Sequence, residues 1–321
     1  MVDFTIEPEF QAKLDWMEEF VRDKVYPLEY LYDYDKDAPY DVNNLGLRKI
    51  IKHLQKEVQA QGMWAAHLPR HLGGSGFGAV KLTYMNERFG FSGFGPVIFG
   101  CQGPDSGNSE ILAMFGTPEQ KERFLKPLLA NERRVYNAIS EPGTGSNIAQ
   151  LQTRADLKGD HYVLNGRKMW ITNGAFGDFG IVVARTFSPD CNGQLSTFLV
   201  EQAVSPCEVR RVDTMVLRST GTAELNFDNV KVPRENLLGQ EGNALKKMLV
   251  GLDGARYRKV AELGGTVIQP RTPVSRTAEA TMPAKGRAKR LFMTRLLPCA
   301  RCDRGGGMRP TRARQPAVPS P

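Results

Sequence analysis

The apolar pattern of this chain changes period once, near residue 131, and that change constrains the fold more than any single motif. Before it, apolar residues recur at helical spacing; after it, they come in short runs separated by turn residues. One layer of secondary structure cannot satisfy both periods. The pattern therefore predicts an α+β multidomain chain, helices first and strands second. Phe10, Leu14, Met17, Val21 and Val25 mark one helix face in residues 9–25. Leu47, Ile50, Ile51, Leu54 and Val58 mark another, behind the capping candidates Asn43 and Asn44. The acidic, tyrosine-rich run Tyr30-Leu31-Tyr32-Asp33-Tyr34-Asp35 between them reads as a solvated loop. Glycine-rich residues 68–76 lead into a third helix around 80–89, either as a plain connection or as the border of a ligand channel. Thr117-Pro118-Glu119-Gln120 carries a complete helix start: hydroxyl N-cap, proline at the first helical position and Gln at the third. The helix it opens, with Phe124, Leu125, Leu128 and Leu129, ends near Asn131 and closes an N-terminal all-helical domain over 1–131.

Residues 132–238 read as a central antiparallel β domain. Tyr162-Val163-Leu164 and Lys168-Met169-Trp170-Ile171 flank Asn165-Gly166, a dipeptide that favours a two-residue hairpin turn, so a turn is expected there. Runs at 180–186, 195–202, 207–212 and 222–227 read as further strands. Pro233-Arg234-Glu235-Asn236 closes the domain, and helical spacing resumes from Asn243 with Leu245, Met248, Leu249 and Leu252. Residues 239–263 are thus expected to be the first helix of an incomplete C-terminal helical domain.

The remaining residues, 264–321, lose all periodicity. Residues 262–321 hold eight prolines and twelve Lys/Arg against three acids, which accounts for the whole net charge of +8. Such a composition buries too little apolar surface to offset the entropy of ordering, so a disordered basic tail is predicted. The body is nearly neutral, and nothing in it calls for a nucleic-acid partner; only the tail has that charge. Five scattered cysteines argue for a reducing compartment rather than a disulfide framework. Cys299 and Cys302 form a single C-x-x-C with no second pair or nearby His, so no metal is expected. No apolar run reaches the ~18 residues of a membrane helix. The first residues lack a basic or Arg-rich leader, which points to the cytoplasm, or to a mitochondrion or peroxisome in a eukaryote.

Chemistry concentrates between Val135 and Gly174. Ser140, Gly143, Thr144, Gly145 and Ser146, broken by Pro142, are small and polar, and such a run lets main-chain N–H groups approach a ligand closely. Trp170 and Thr172, two residues apart, would share one face of a strand. A flat aromatic beside a hydroxyl suits a planar heteroaromatic ligand. Singly, Trp170 also reads as a core aromatic and Ser140 as a turn residue.

Helical domain, β domain and helix, with S-E-P-G-T-G-S-N at 140–147 and K-M-W-I-T-N-G at 168–174, resemble the acyl-CoA dehydrogenase family over residues 1–260. Asn165-Gly166-Arg167-Lys168 and Asn226-Phe227-Asp228-Asn229-Val230-Lys231-Val232-Pro233 strengthen the likeness. The resemblance implies FAD held between the β domain and the C-terminal helices. It implies that Ile139 and Ser140 face the pyrimidine edge of the flavin and that Ser146 lies near the FAD phosphates and the acyl-CoA. It further implies that Trp170 packs on the isoalloxazine, Ile171 is a cofactor contact and Thr172 hydrogen-bonds near N5. Asp253 and Arg256 would lie near the thioester and CoA, although an Asp–Arg pair at this helical spacing also reads as a surface ion pair. Acyl-CoA as substrate, electron-transferring flavoprotein as acceptor and a homo-oligomer are implied in the same way.

The family reaction takes the α proton with a glutamate and passes the β hydride to the flavin. In most members that glutamate lies far beyond the β domain, where this sequence offers no counterpart, and the alternative base position is occupied by Ala255. No catalytic residue is therefore identified. The chain reads as an acyl-CoA dehydrogenase truncated within its C-terminal helical domain. The alternatives are a non-catalytic remnant with partial flavin or acyl-CoA binding, and a same-fold flavin monooxygenase or oxidase. The Arg-, Pro- and Gly-rich end suggests a frame change near residues 257–264, and another reading frame should then restore the helices.

Overall fold

The computed structural model describes residues 5–32, 39, 44–215, 220–249 and 260–261. Among the described residues, eight α-helices come first. They are α1 (Pro8–Phe20), α2 (Pro27–Leu31), α3 (Leu45–Ala60), α4 (Gly78–Phe89), α5 (Gly95–Ile98), α6 (Asp105–Phe115), α7 (Pro118–Gln120) and α8 (Lys126–Leu129). The faces marked by periodicity are the buried ones: Phe10, Leu14, Met17, Val21 and Val25 pack with Leu47, Ile50, Ile51, Leu54 and Val58 in one core. Asn44 caps α3 by accepting from the Leu47 N–H at 3.2 Å. Asn43, Leu252 and the basic tail lie outside the described residues.

Two helices widen where a proline follows. Between α1 and α2 the turn Val21–Val25 is a π-turn, in which the Tyr26 N–H reaches back to Val21 O. Lys121–Leu125, between α7 and α8, repeats it, with the Lys126 N–H reaching Lys121 O. Pro27 and Pro127 come next in each case. A proline has no N–H to give, and its ring collides with the carbonyl four residues back; one extra residue in the preceding turn relieves both.

The capping box at Thr117 forms as expected. Its hydroxyl accepts from the Gln120 N–H at 3.2 Å, and the Gln120 side chain accepts from the Thr117 N–H at 3.1 Å. Gln120 Nε2 also donates to Glu235 O and Leu237 O, which fastens this helix start to the exit of the β domain. Thr117→Ala is expected to cost about 1 kcal/mol in unfolding free energy, measured by chemical denaturation.

Among the described residues, seven strands follow: β1 (Val135–Ala138), β2 (Arg154–Lys158), β3 (His161–Ile171), β4 (Phe179–Phe187), β5 (Asn192–Glu201), β6 (Glu208–Arg211) and β7 (Ala223–Pro233). They form one sheet in the order β1-β4-β2-β3-β7-β6, with β5 on the other edge of β4. Pairing is antiparallel except on β4, whose second edge receives first β1 and then β2 in parallel. β1 and β2 were not foreseen, because neither Val135–Ala138 nor Arg154–Lys158 carries a clear alternation.

The expected hairpin turn at Asn165-Gly166 is a correction. Residues 161–171 form one strand, and the register shifts between Leu164 and Gly166, a bulge rather than a turn. Gly166 has φ 144°, and a Cβ there would lie 2.7 Å from Thr153 Cα and Oγ1. Glycine is needed for a close backbone approach, which sequence alone cannot tell from a turn. The real turn falls between β2 and β3, where Gly159 has φ 66°.

Three apolar clusters result among the described residues. One lies within the helical domain, and one within the β domain around Tyr136, Tyr162, Phe198 and Phe227. The third joins α6–α8 to β1, β4 and β5 through Leu112, Phe124, Val135, Phe179 and Leu199. Residues 244–249 are helical, with Ala244 and Met248 buried against this third cluster and Leu245 and Leu249 exposed. Among the described residues, no helix is long and apolar enough to cross a membrane.

Lys247 on this short helix is buried, and its ammonium donates to Leu238 O and to Gln240 O. Burial lowers its pKa from the usual lysine value to about 8. Between about pH 8 and the unfolded value of 10.5 the unfolded chain binds this proton and the folded chain does not, so this group makes stability rise with pH. Half-buried Cys207 and buried Tyr136, whose pKa values desolvation raises, act in the opposite sense. The test is therefore a difference. The stability of the wild type relative to Lys247→Met is expected to increase from pH 7 to pH 10, measured by denaturant titration at each pH.

Candidate functional site

β1 ends at Ala138 and the chain turns over Ile139 and Ser140 into a tight loop. The loop is closed by Glu141 N–H on Thr144 O at 2.9 Å and Thr144 N–H on Glu141 O at 3.1 Å. Pro142 and Gly143 occupy the corners of that turn, which suits their conformational preferences. The loop is fixed from below by Glu141. Its carboxylate accepts from Gln152 N at 2.6 Å, Thr153 N at 2.8 Å, Thr153 Oγ1 at 2.6 Å and Lys168 Nζ at 2.9 Å. Lys168 projects from β3 and is fully buried, and its ammonium also donates to Ile139 O at 2.9 Å. One residue on, the Met169 N–H donates to Ser140 O at 2.9 Å. The S-E-P-G-T turn and the K-M-W-I strand, 28 positions apart, are thereby held edge to edge. Burial works to raise the Glu141 pKa, but the Thr153 hydroxyl, Lys168 and the Gln152 N–H outweigh it and hold the carboxyl below the usual range. Burial lowers the Lys168 pKa to about 8 against the pull of Glu141.

The second half of the stretch is held by a second buried node. Asp105, at the start of α6, accepts from Gln102 Nε2 at 2.8 Å, Arg134 Nη1 at 3.0 Å, Asn173 Nδ2 at 3.0 Å and Val135 N at 3.4 Å. Burial raises its pKa, and Arg134, Gln102 and the Val135 N–H oppose that. All four neighbours are donors, so the carboxylate is the form that fits. Asn173, fully buried with φ 63°, also donates to Val135 O, and its own N–H reaches Thr220 O. Glu141, Lys168, Asp105, Arg134 and Asn173 were not singled out from sequence. No local signal marks them: Lys168 follows Arg167 and reads as one of two surface cations.

Between the two nodes lies Trp170. Its φ is +64°, and its side chain is 59% exposed. A second register shift falls between Lys168 and Ile171, and the strand ends there. Simple alternation therefore does not put Trp170 and Thr172 on one face as the sequence suggested; the bulge and the left-handed residue set their directions. Thr172 is half-buried, Ser140 half-buried and Ser146 exposed. Among the described residues, none of these three hydroxyls has a hydrogen-bond partner. Ile139 packs partly against the cluster under β1, and the Ile171 side chain is buried in the β-domain core, its carbonyl accepting from the Gly174 N–H at 3.0 Å. A Cβ at Gly143 or Gly145 would meet nothing within 4 Å, so the outer face of the loop is open. Asp253, Ala255, Arg256, Cys299 and Cys302 lie outside the described residues. Among those described, no group of three His, Cys, Asp or Glu side chains is placed to hold a metal.

Residues 7–132 match the N-terminal domain of acyl-CoA dehydrogenases, and residues 137–230 match the middle domain. The chain belongs to the acyl-CoA dehydrogenase family. Among curated relatives of the family, the mitochondrial isovaleryl-CoA dehydrogenase of Pongo abelii is 33% identical over 230 residues, 70% of this chain and 54% of that protein. The chain thus spans about half of that relative's length. Among solved structures, an acyl-CoA dehydrogenase complexed with FAD from Bacillus anthracis superposes with a TM-score of 0.65 at 29% identity, covering 83% of this chain and 43% of the other. A glutaryl-coenzyme A dehydrogenase–glutaryl-CoA complex gives 0.67 at 26% identity, covering 82% and 65%.

Proposed function

We propose that residues 135–174 form the flavin-facing wall of an FAD-dependent dehydrogenase that acts on the α,β carbons of acyl-CoA thioesters. The observation that carries this reading is Trp170. A bulky aromatic in the left-handed region is strained by about 1–3 kcal/mol, and leaving it open to solvent forgoes the burial that would offset the strain. Such strain is concentrated at ligand sites. The rest of the wall fits the same ligand: three hydroxyls without partners, an open small-residue loop and a flat ring held beside them.

FAD, when bound, would supply the hydride acceptor. Ile139 and Ser140 would offer main-chain and hydroxyl groups to its pyrimidine edge, Trp170 would cover the ring system, and Ile171 main chain and Thr172 would lie near its reactive nitrogen. Ser146 would meet the phosphates and the acyl-CoA, with Asp253 and Arg256 near the thioester. Glu141, the one carboxylate of the loop, is held by four donors and is not free to take a proton from a substrate. No described residue is assigned as the general base. Electron-transferring flavoprotein as acceptor, and a homo-oligomeric state, belong to the same proposal.

The experiment is anaerobic. Purified protein loaded with FAD is mixed with an acyl-CoA thioester and its visible spectrum followed. Bleaching of the flavin bands supports dehydrogenation by this chain. A spectrum that shifts without bleaching supports acyl-CoA binding without turnover, and an unchanged spectrum counts against an acyl-CoA site.

A further inference from the structure

We propose that Lys168 is a positioning residue that fixes which way the Ile139–Ser140 peptide faces and so makes the Ser140 N–H a ligand donor. The proposal rests on the flavin reading above. A trans peptide is planar, with its C=O and N–H pointing in opposite directions. Lys168 Nζ, fully buried behind the loop, draws Ile139 O inward at 2.9 Å. The Ser140 N–H must then point outward, and among the described residues it has no acceptor. The Met169 N–H holds the next carbonyl, Ser140 O, inward at 2.9 Å, so two successive β3 residues set two successive peptides. A carbonyl hydrogen-bonded to a cation polarises its own peptide and strengthens the N–H on the far side as a donor.

A purely structural role fits Lys168 less well. A buried ion pair gives little stability over an apolar pair of similar volume, because both charges lose their hydration. Leucine or methionine at 168, with an uncharged residue at 141, would fill the space as well. What an apolar pair could not do is orient Ile139 O. Glu141 keeps the ammonium charged and in place at 2.9 Å, while Gln152 and Thr153 hold Glu141.

The test uses Lys168→Met and the double variant Lys168→Met/Glu141→Gln, in which neither buried charge is left alone. Stability is read by denaturant unfolding. Exchange of the Ser140 amide hydrogen is read without ligand, and FAD affinity is read by titration. The single variant is expected to lose both stability and FAD binding. The double variant is expected to recover most of the stability, to protect the Ser140 amide more than the wild type, and to bind FAD about tenfold to a hundredfold more weakly. If the double variant is stable and binds FAD as tightly as the wild type, with Ser140 exchange unchanged, Lys168 is only structural and the proposal is overturned. If the wild type itself takes up no FAD, the flavin reading falls, and with it the donor role of this peptide.

Discussion

Asp105→Ala is expected to lower the unfolding free energy by about 3–5 kcal/mol, the range for breaking a buried charge pair by removing one partner. The size follows from what is left behind. Arg134 is itself buried and has Asp105 as its ion-pair partner at 3.0 Å. Gln102 Nε2, Asn173 Nδ2 and the Val135 N–H lose an acceptor at the same time. The node lies where α6 of the helical domain meets β1 and the Thr172-Asn173-Gly174 turn of the β domain. Loss should therefore loosen the seam between domains rather than one element. Denaturant unfolding measures the loss. Asp105→Asn, which keeps the shape and one acceptor, should lose less; equal and small losses in both variants would show that the seam is held by its apolar cluster alone.

Trp170→Gly is expected to act in the opposite way, leaving stability within about 1 kcal/mol of the wild type while weakening FAD binding about tenfold to a hundredfold. Glycine adopts φ +64° without the penalty that a side chain incurs, which offsets its greater entropy when unfolded. The indole is 59% exposed, so little packing is lost. On the proposed function, the ligand accounts for a residue that costs the fold and gains no burial. If Trp170→Gly unfolds easily and binds FAD normally, Trp170 is a packing residue and the wall has been misplaced.

The fold was largely legible in the sequence because its helices obey periodicity. The faces of Phe10–Val25 and Leu47–Val58 and the Thr117 capping box are local patterns, and each is present. What escaped depends on contacts between distant residues. Gly166 reads as a turn until Thr153 is seen to press against it. The π-turns before Pro27 and Pro127 follow from a missing donor and a displaced carbonyl, and periodicity does not register one extra residue. In the candidate site, Ser140, Ser146, Trp170 and Thr172 were visible as residue types suited to a ligand. The buried charges beside them were not, because the pairing of Lys168 with Glu141 is created by the sheet, and that of Asp105 with Arg134 and Asn173 by the meeting of α6 with the sheet.

The flavin wall is tested most directly by the amount of FAD that stays with the purified chain through gel filtration after reconstitution. If residues 135–174 form a flavin wall, FAD should co-elute with the protein at a fixed stoichiometry, and much less should co-elute with Trp170→Gly. FAD eluting wholly at the free-ligand volume, from a wild-type chain shown to be folded by its cooperative unfolding, would contradict it.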